Sequence, residues 1–256
     1  MDHKHQHLQL ASIVFLVALG LALVYFSFQK VHAPSPVRTD TTQRTSTPPK
    51  ATFNKSRYSL TDPASLWVVV NKQRPLDPKN YVPTDLVTPN VPLRVPGNAS
   101  MQIRAETGSA MEAMFAAAKA AGAPLMLSSG YRSYNYQVSL YSSYVTAHGQ
   151  ASADTFSARP GYSEHQTGLA FDVEPLDKQC DVDQCFANTP AGKWVAEHAY
   201  EYGFFIRYPA DKVAITGYEY EPWHLRYVGK ALALEMHNTH TETLEEFFGL
   251  PAAPNY

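Results

Sequence analysis

The sequence predicts a single mixed α and β domain, and three observations predict it. Apolar and polar residues alternate strictly in GLAFDVEP, residues 168–175, and again in EPWHLRYVG, residues 221–229, which is the period of half-buried strands. Between Arg104 and Ala121 the apolar residues Met111, Met114, Phe115 and Ala118 recur at helical spacing. About the first fifty of the 256 residues lack globular patterning, which leaves about 200, enough for one well-buried core and too few for two.

Residues 1–9 are a polar stub whose histidines have nothing beside them to complete a metal site. Residues 10–28 carry no charge and are rich in Leu, Val, Ala and Phe. As a helix rising about 1.5 Å per residue, that run reaches about 28 Å, close to the hydrocarbon thickness of a bilayer. An uncleaved transmembrane anchor is expected over a signal peptide, because signal cores are usually about 7–15 residues. The one small-x-small site, Val31-His32-Ala33, is also followed by Pro34. Residues 29–56 are Pro, Thr, Ser and Lys/Arg with almost no aliphatics, a disordered tether. Residues 57–256 form the folded domain.

Within that domain Leu66–Val70, LWVVV, reads as a buried strand, followed by a proline-punctuated loop. The helix of residues 104–121 ends at Gly122 and Pro124. Leu125–Ser129 is a strand that delivers Gly130-Tyr131-Arg132-Ser133 to its end, where functional loops commonly sit. Ser133 is placed to cap a helix over Tyr134–His148, with Leu140, Tyr144 and Val145 on one face. Ala191–Tyr202 is a helix closed by Gly203, FFIRYP is a strand, and residues 230–248 are a terminal helical region. His198, His237 and His240 lack partners at ligand spacing and read as structural.

The chemistry concentrates in the two alternating runs. In the first, Leu169, Phe171 and Val173 share one face, while Gly168 and Ala170 leave space beside Asp172 on the other. His165 precedes a turn-forming Gln-Thr-Gly that folds it toward that face. In the second run His224 lies opposite the aromatic face, with Glu221 at the strand's mouth. His165, Asp172 and His224 are three nitrogen and oxygen donors suited to zinc with a position left open, the pattern of a catalytic site. Glu221 is the second carboxylate, placed to take a proton from water and return it to a departing amine. Arg132, on its Gly-flanked loop, suits an oxyanion or a substrate carboxylate. These residues together support metal-assisted amide hydrolysis.

Cys180 and Cys185, in CDVDQC, are the only cysteines. A disulfide in an oxidising compartment is expected over two buried thiols or a metal pair, since flanking Asp181 and Asp183 place them at the surface. A net charge of −2 without any basic block excludes nucleic acid as a partner class. The 16 tyrosines suit a polar, partly apolar ligand such as a sugar or peptide polymer, and equally the edge of a core.

S-x-H-x-x-G-x-A-x-D at Ser163 to Asp172, then E-x-W-H at Glu221 to His224, resembles the VanY-type D-alanyl-D-alanine carboxypeptidases. These belong to the zinc peptidases that include D-Ala-D-Ala dipeptidases and hedgehog-like domains. Residues 130–137 and 68–72 match as well, and the likeness covers roughly residues 60–229. It implies a compact α+β domain with a central antiparallel sheet flanked by helices. It implies zinc on His165, Asp172 and His224, Glu221 as base, and Arg132 on the intermediate or substrate. Ser163, Gln137 and Tyr131 would contact the terminal D-alanine of a peptidoglycan stem peptide. The expected protein is a membrane-anchored, extracytoplasmic, monomeric D,D-carboxypeptidase. An L,D-carboxypeptidase, an endopeptidase, or a non-catalytic wall-binding domain with structural zinc are the alternatives. The cysteine loop is not part of the family pattern.

Overall fold

The alternating runs pair with one another. In a computed structural model describing residues 52–256, Leu125–Ser129 (β3), Ala170–Pro175 (β4), Phe204–Tyr208 (β5) and Glu221–Tyr227 (β6) form a four-stranded antiparallel sheet in the order β3-β4-β6-β5. A short separate ribbon joins Leu86–Val87 (β1) to Ile103–Arg104 (β2). The helices are Ala105–Ala120 (α1), Tyr134–His148 (α2), Gln150–Phe156 (α3), Pro190–His198 (α4), Val213–Thr216 (α5), Lys230–Asn238 (α6) and Leu244–Phe248 (α7). The expected anchor at 10–28 and the tether up to residue 51 lie outside the described residues. Among the described residues no helix is long and apolar enough to cross a membrane.

The two faces of the sheet have different fates. Phe171, Val173, Leu225, Tyr227 and Phe204 point into the main core, packed with Met111, Met114 and Phe115 of α1 and Val195 of α4. Each such side chain, fully buried, contributes about 1.5–3 kcal/mol of apolar transfer. The other face carries Asp172 and Glu174 of β4, His224 and Arg226 of β6, and Arg207 of β5, all nearly solvent-free. A second apolar cluster of Trp67, Val69, Val228, Leu232, Leu244 and Phe247 lies around the C-terminal helices. Phe53 stacks on Trp67 at 5.6 Å between centroids, and Lys55 Nζ donates to Phe247 O, so residues 53 and 55, ahead of the expected start at 57, also pack on the domain.

Two expectations change. LWVVV is buried as anticipated but forms no strand: only Asn71 makes an isolated bridge, to Arg74. The reason is that side chains take the carbonyls a ladder would use. Arg226 Nη2 donates to Leu66 O and Val68 O at 3.1 and 2.8 Å, and Arg74 Nε donates to Val69 O at 3.3 Å. Val68 and Val70 enter the main core while Trp67 and Val69 enter the second cluster, so the run threads between them. The α2 helix spans its expected residues and Ser133 caps it, accepting from Tyr136 N at 3.2 Å. Its one buried residue, however, is Gln137, and Leu140 and Tyr144 face a cleft instead of the core.

Charges buried on the polar face neutralise one another. Glu164 Oε1 accepts from Arg207 Nε at 2.9 Å and Arg226 Nη1 at 2.8 Å. Arg207 forks onto Glu245 at 3.0 and 2.7 Å, and Asn71 Nδ2 donates to Glu245 at 2.8 Å. Burial alone would raise the Glu245 pKa, but the Arg207 charge and these hydrogen bonds hold it below the ordinary carboxylate value. Breaking a buried pair costs about 3–5 kcal/mol, and Glu245→Ala should lower the unfolding free energy by about that amount in denaturant titrations. A carboxyl depressed by folding stabilises above its unfolded pKa and loses that contribution as pH falls through the folded one. The wild-type melting temperature should therefore drop more steeply below about pH 4.3 than that of Glu245→Gln.

Candidate functional site

Strand register builds the site. Asp172 of β4 stands opposite His224 of β6 and opposite Ser129 of β3, so these three side chains share one face. His165 arrives from a 3-10 turn, Glu164–Thr167, that Gly168 ends in the left-handed region at φ 66°. A Cβ on Gly168 would also meet Arg104 Cγ at 2.9 Å. Gly130 is required for a second reason: a Cβ there would collide with Gln102 O. That close approach lets Gly130 O accept from His165 Nδ1–H at 2.8 Å, which leaves the Nε2 lone pair pointing inward.

Three donors converge. Asp172 Oδ1 is 3.4 Å from His165 Nε2 and 3.3 Å from His224 Nδ1, and all three ligand atoms lie within 4.8 Å of one another. Donors about 2.0–2.1 Å from one tetrahedral ion stand roughly 3.3 Å apart, which the two separations from Asp172 Oδ1 match. Asp172 Oδ1 is buried and has no hydrogen-bond partner, while Oδ2 accepts from Arg132 Nη2 at 2.5 Å. A lone buried carboxylate oxygen between two imidazole nitrogens is the signature of a cation site, and the donor set fits zinc.

The electrostatics agree. Burial and the Arg132 charge push His165 down to about 4, so its imidazole is neutral and able to ligate. Burial raises Asp172, but His165 and Arg132 outweigh it and hold the carboxylate well below its usual range. Burial would lower His224, yet the facing carboxylates of Asp172 and Glu164 prevail and push it up to about 9. That imidazole faces the carboxylates of Asp172, Glu164 and Glu221, a concentration of negative charge that a cation relieves. Glu221, with Oε2 at 3.5 Å from His224 Nδ1, is pushed up to about 7 by burial. A base poised near neutrality is what proton transfer at neutral pH requires.

The site opens into a cleft of about 310 Å³. Its lining includes Arg132, Ser163, His165, Asp172, Glu221 and His224, with Leu140, Tyr144, Phe156, Tyr208, Val182 and Trp223 among the walls. Gln137 and Tyr131, the other two expected substrate contacts, are not among the residues lining it. Gln137 Nε2 donates instead to Ala158 O at 2.7 Å, holding the segment that does line the cleft. Tyr131 is half-buried, its backbone N–H donating to Gln102 O at 2.7 Å. Cys180 is joined to Cys185, and Arg94 pairs with Asp181 inside that loop and with Glu174 at 3.2 Å. The loop thus carries Val182 to the cleft wall.

Sequence reasoning passed over two residues beside the site. Glu164 sits next to His165 and reads as an ordinary surface acid, yet it is fully buried against His224. Tyr208 reads from sequence only as part of a strand, but its ring lies 4.9 Å from the His224 ring. The neighbouring Glu-His pair was the one available signal for the first. Nothing in the pattern marked the second.

An α+β sheet domain with three converging donors, a separate buried carboxylate and a cleft defines a metallopeptidase-type site. Residues 100–230 match the VanY D-alanyl-D-alanine carboxypeptidase family model. The chain is 38% identical over 255 residues to YodJ of Bacillus subtilis (strain 168), a protein assigned as a carboxypeptidase, covering 93% of each. Among solved structures it resembles the LdcB LD-carboxypeptidase, with 45% identity and TM-score 0.69 over 73% of this chain and 87% of that one. It also resembles a vancomycin-resistance D,D-pentapeptidase VanY solved with Zn(II), with 31% identity and TM-score 0.58 over 70% and 97%. The chain belongs to the VanY carboxypeptidase family.

His165→Ala and Asp172→Ala each remove a ligand while leaving the apolar face of the sheet intact. Bound zinc measured by elemental analysis should fall from about one per chain to near zero in both, with circular dichroism unchanged. Full zinc occupancy in either variant would place the ion elsewhere.

Proposed function

We propose that this chain is a zinc carboxypeptidase that removes the C-terminal D-alanine from peptidoglycan stem peptides, anchored to the membrane by residues 10–28 with its domain outside. The observation carrying the reading is the unpartnered Asp172 Oδ1 between two imidazole nitrogens, with Glu221 beside but apart. The family and its peptidoglycan-acting relatives support the substrate class. The Cys180–Cys185 disulfide and the long uncharged run support a tethered, extracytoplasmic domain.

His165, Asp172 and His224 would hold the zinc, which when bound polarises a carbonyl and lowers the pKa of water from about 15.7 toward 7. The remaining work falls to the protein. Glu221 takes the proton from the attacking water at its carboxylate and delivers it to the departing amine of D-alanine. Arg132 Nε donates to Ser129 Oγ at 3.0 Å and Nη2 to Asp172, which aims the guanidinium at the cleft. Its Nη1 makes no hydrogen bond among the described residues and is available to the oxyanion or to the terminal carboxylate. Ser163, whose hydroxyl does not cap the following turn, lines the same cleft and donates to the peptide.

The motifs alone point to D,D cleavage of a pentapeptide stem. A specific comparison favours a second reading, L,D cleavage of a tetrapeptide stem: identity to the LD-carboxypeptidase structure is 45% against 31% for the D,D-pentapeptidase. Both release D-alanine and use the same residues. Full-length protein incubated with synthetic pentapeptide and tetrapeptide stems should release D-alanine from at least one, and the preferred stem decides between the readings. A chelator should abolish release and added zinc restore it. Glu221→Ala should retain zinc while turnover falls about 10²–10⁴-fold; turnover equal to wild type would sink the mechanism.

A further inference from the structure

The ion cluster on the polar face contains a carboxylate oxygen that the cluster itself does not use. Glu164 has no solvent exposure in its side chain, and its Oε1 alone accepts from both arginines. The remaining nitrogens of those arginines are matched elsewhere. Arg207 Nη1 and Nη2 donate to Glu245, Arg226 Nη2 to Leu66 O and Val68 O, and Arg226 Nε to Tyr227 O at 3.0 Å. Glu164 Oε2 is left buried without a partner. It faces His224 Nε2 at 3.7 Å, and that nitrogen is likewise buried without a partner.

We infer that Glu164 is a positioning residue for the metal ligand His224: its Oε2 accepts the Nε2–H and so selects the tautomer whose Nδ1 lone pair faces Asp172 Oδ1 and the ion. The inference rests on the metal-site reading above. The gap exceeds a hydrogen bond by about 0.5 Å, and an unmatched buried donor and acceptor facing each other gain by closing it. A carboxylate behind a ligating imidazole fixes ring orientation and raises ligand basicity. His165 has a different device for the same end, the Gly130 carbonyl on its Nδ1. The two imidazoles therefore present opposite nitrogens to the ion, Nε2 from residue 165 and Nδ1 from residue 224, each set by a buried acceptor behind it. Through Arg207 and Glu245 the ion cluster also ties this acceptor to α7 near the C-terminus.

The test uses the full-length chain with Glu164→Gln and, as control, Glu245→Gln, which disturbs the same cluster without touching Oε2. Glu164→Gln should weaken zinc affinity about 10–100-fold and shift the visible spectrum of the cobalt-substituted protein. Glu245→Gln should hold zinc within about twofold of wild type, with an unchanged cobalt spectrum. Equal affinity and spectrum in Glu164→Gln, or equal losses in both variants, would overturn the role. Imidazole ¹⁵N–¹H correlation spectra of the zinc-loaded wild type need no substitution: the proton of His224 should sit on Nε2, and a proton on Nδ1 overturns the inference even if Glu164→Gln fails to fold. Wild-type protein that takes up no zinc overturns the metal-site reading and this inference with it, whereas zinc uptake indifferent to Glu164→Gln sinks this inference alone.

Discussion

The cross-strand pairing of Asp172 with His224 is the constraint on which the rest of the structure depends. Side chains on a strand alternate between faces, so a slip of one residue would send both groups into the opposite layer. What prevents the slip is the other face: Phe171 lies opposite Leu225, and Val173 opposite Leu127. All of these are solvent-free in the main core. The apolar packing that folds the domain is thus the same packing that sets donor separations near 3.3 Å. No separate device is needed to bring the carboxylate to the imidazole.

Using one face for core and the other for charge creates a problem that the 52–76 segment and the C-terminal helices solve. Arginines on β5 and β6 enter a solvent-free layer, where an uncompensated charge would cost several kcal/mol. Glu164, Glu245, Asn71 and the carbonyls of Leu66 and Val68 supply the missing partners. This explains why LWVVV, with every mark of a strand, is not one. Two of its carbonyls, those of Leu66 and Val68, are taken by Arg226.

The sheet and its polar-face chemistry were legible because their signals are local. GLAFDVEP and EPWHLRYVG declare their faces by alternation, and the small residues beside Asp172 mark the space around it. Helix α2 was legible in extent through Ser133, but the burial of its face was not, since helical periodicity cannot tell a core from a cleft wall. Gln137 and Tyr131 show the same limit from the other side. They lie near Arg132 in sequence, yet the Gln137 side chain is engaged by the carbonyl of Ala158 and neither residue is among those lining the cleft. Glu164 was illegible for a reason of chemistry: an acid is normally exposed, and its two neutralising arginines are 43 and 62 positions away.

The cleft draws its floor and its walls from different elements. Its floor, with Asp172, Glu221 and His224, belongs to paired strands held by the core. Its walls come from elsewhere: Leu140 and Tyr144 from α2, Phe156 from α3, and Val182 from a disulfide loop that Arg94 ties down through Asp181. Proton transfer and carbonyl activation would draw on the floor together with His165 and Arg132, which reach it from a 3-10 turn and a loop. Discrimination between residues of opposite configuration depends in general on the walls that meet their side chains. The structures similar to this chain include both a D,D-pentapeptidase and an LD-carboxypeptidase.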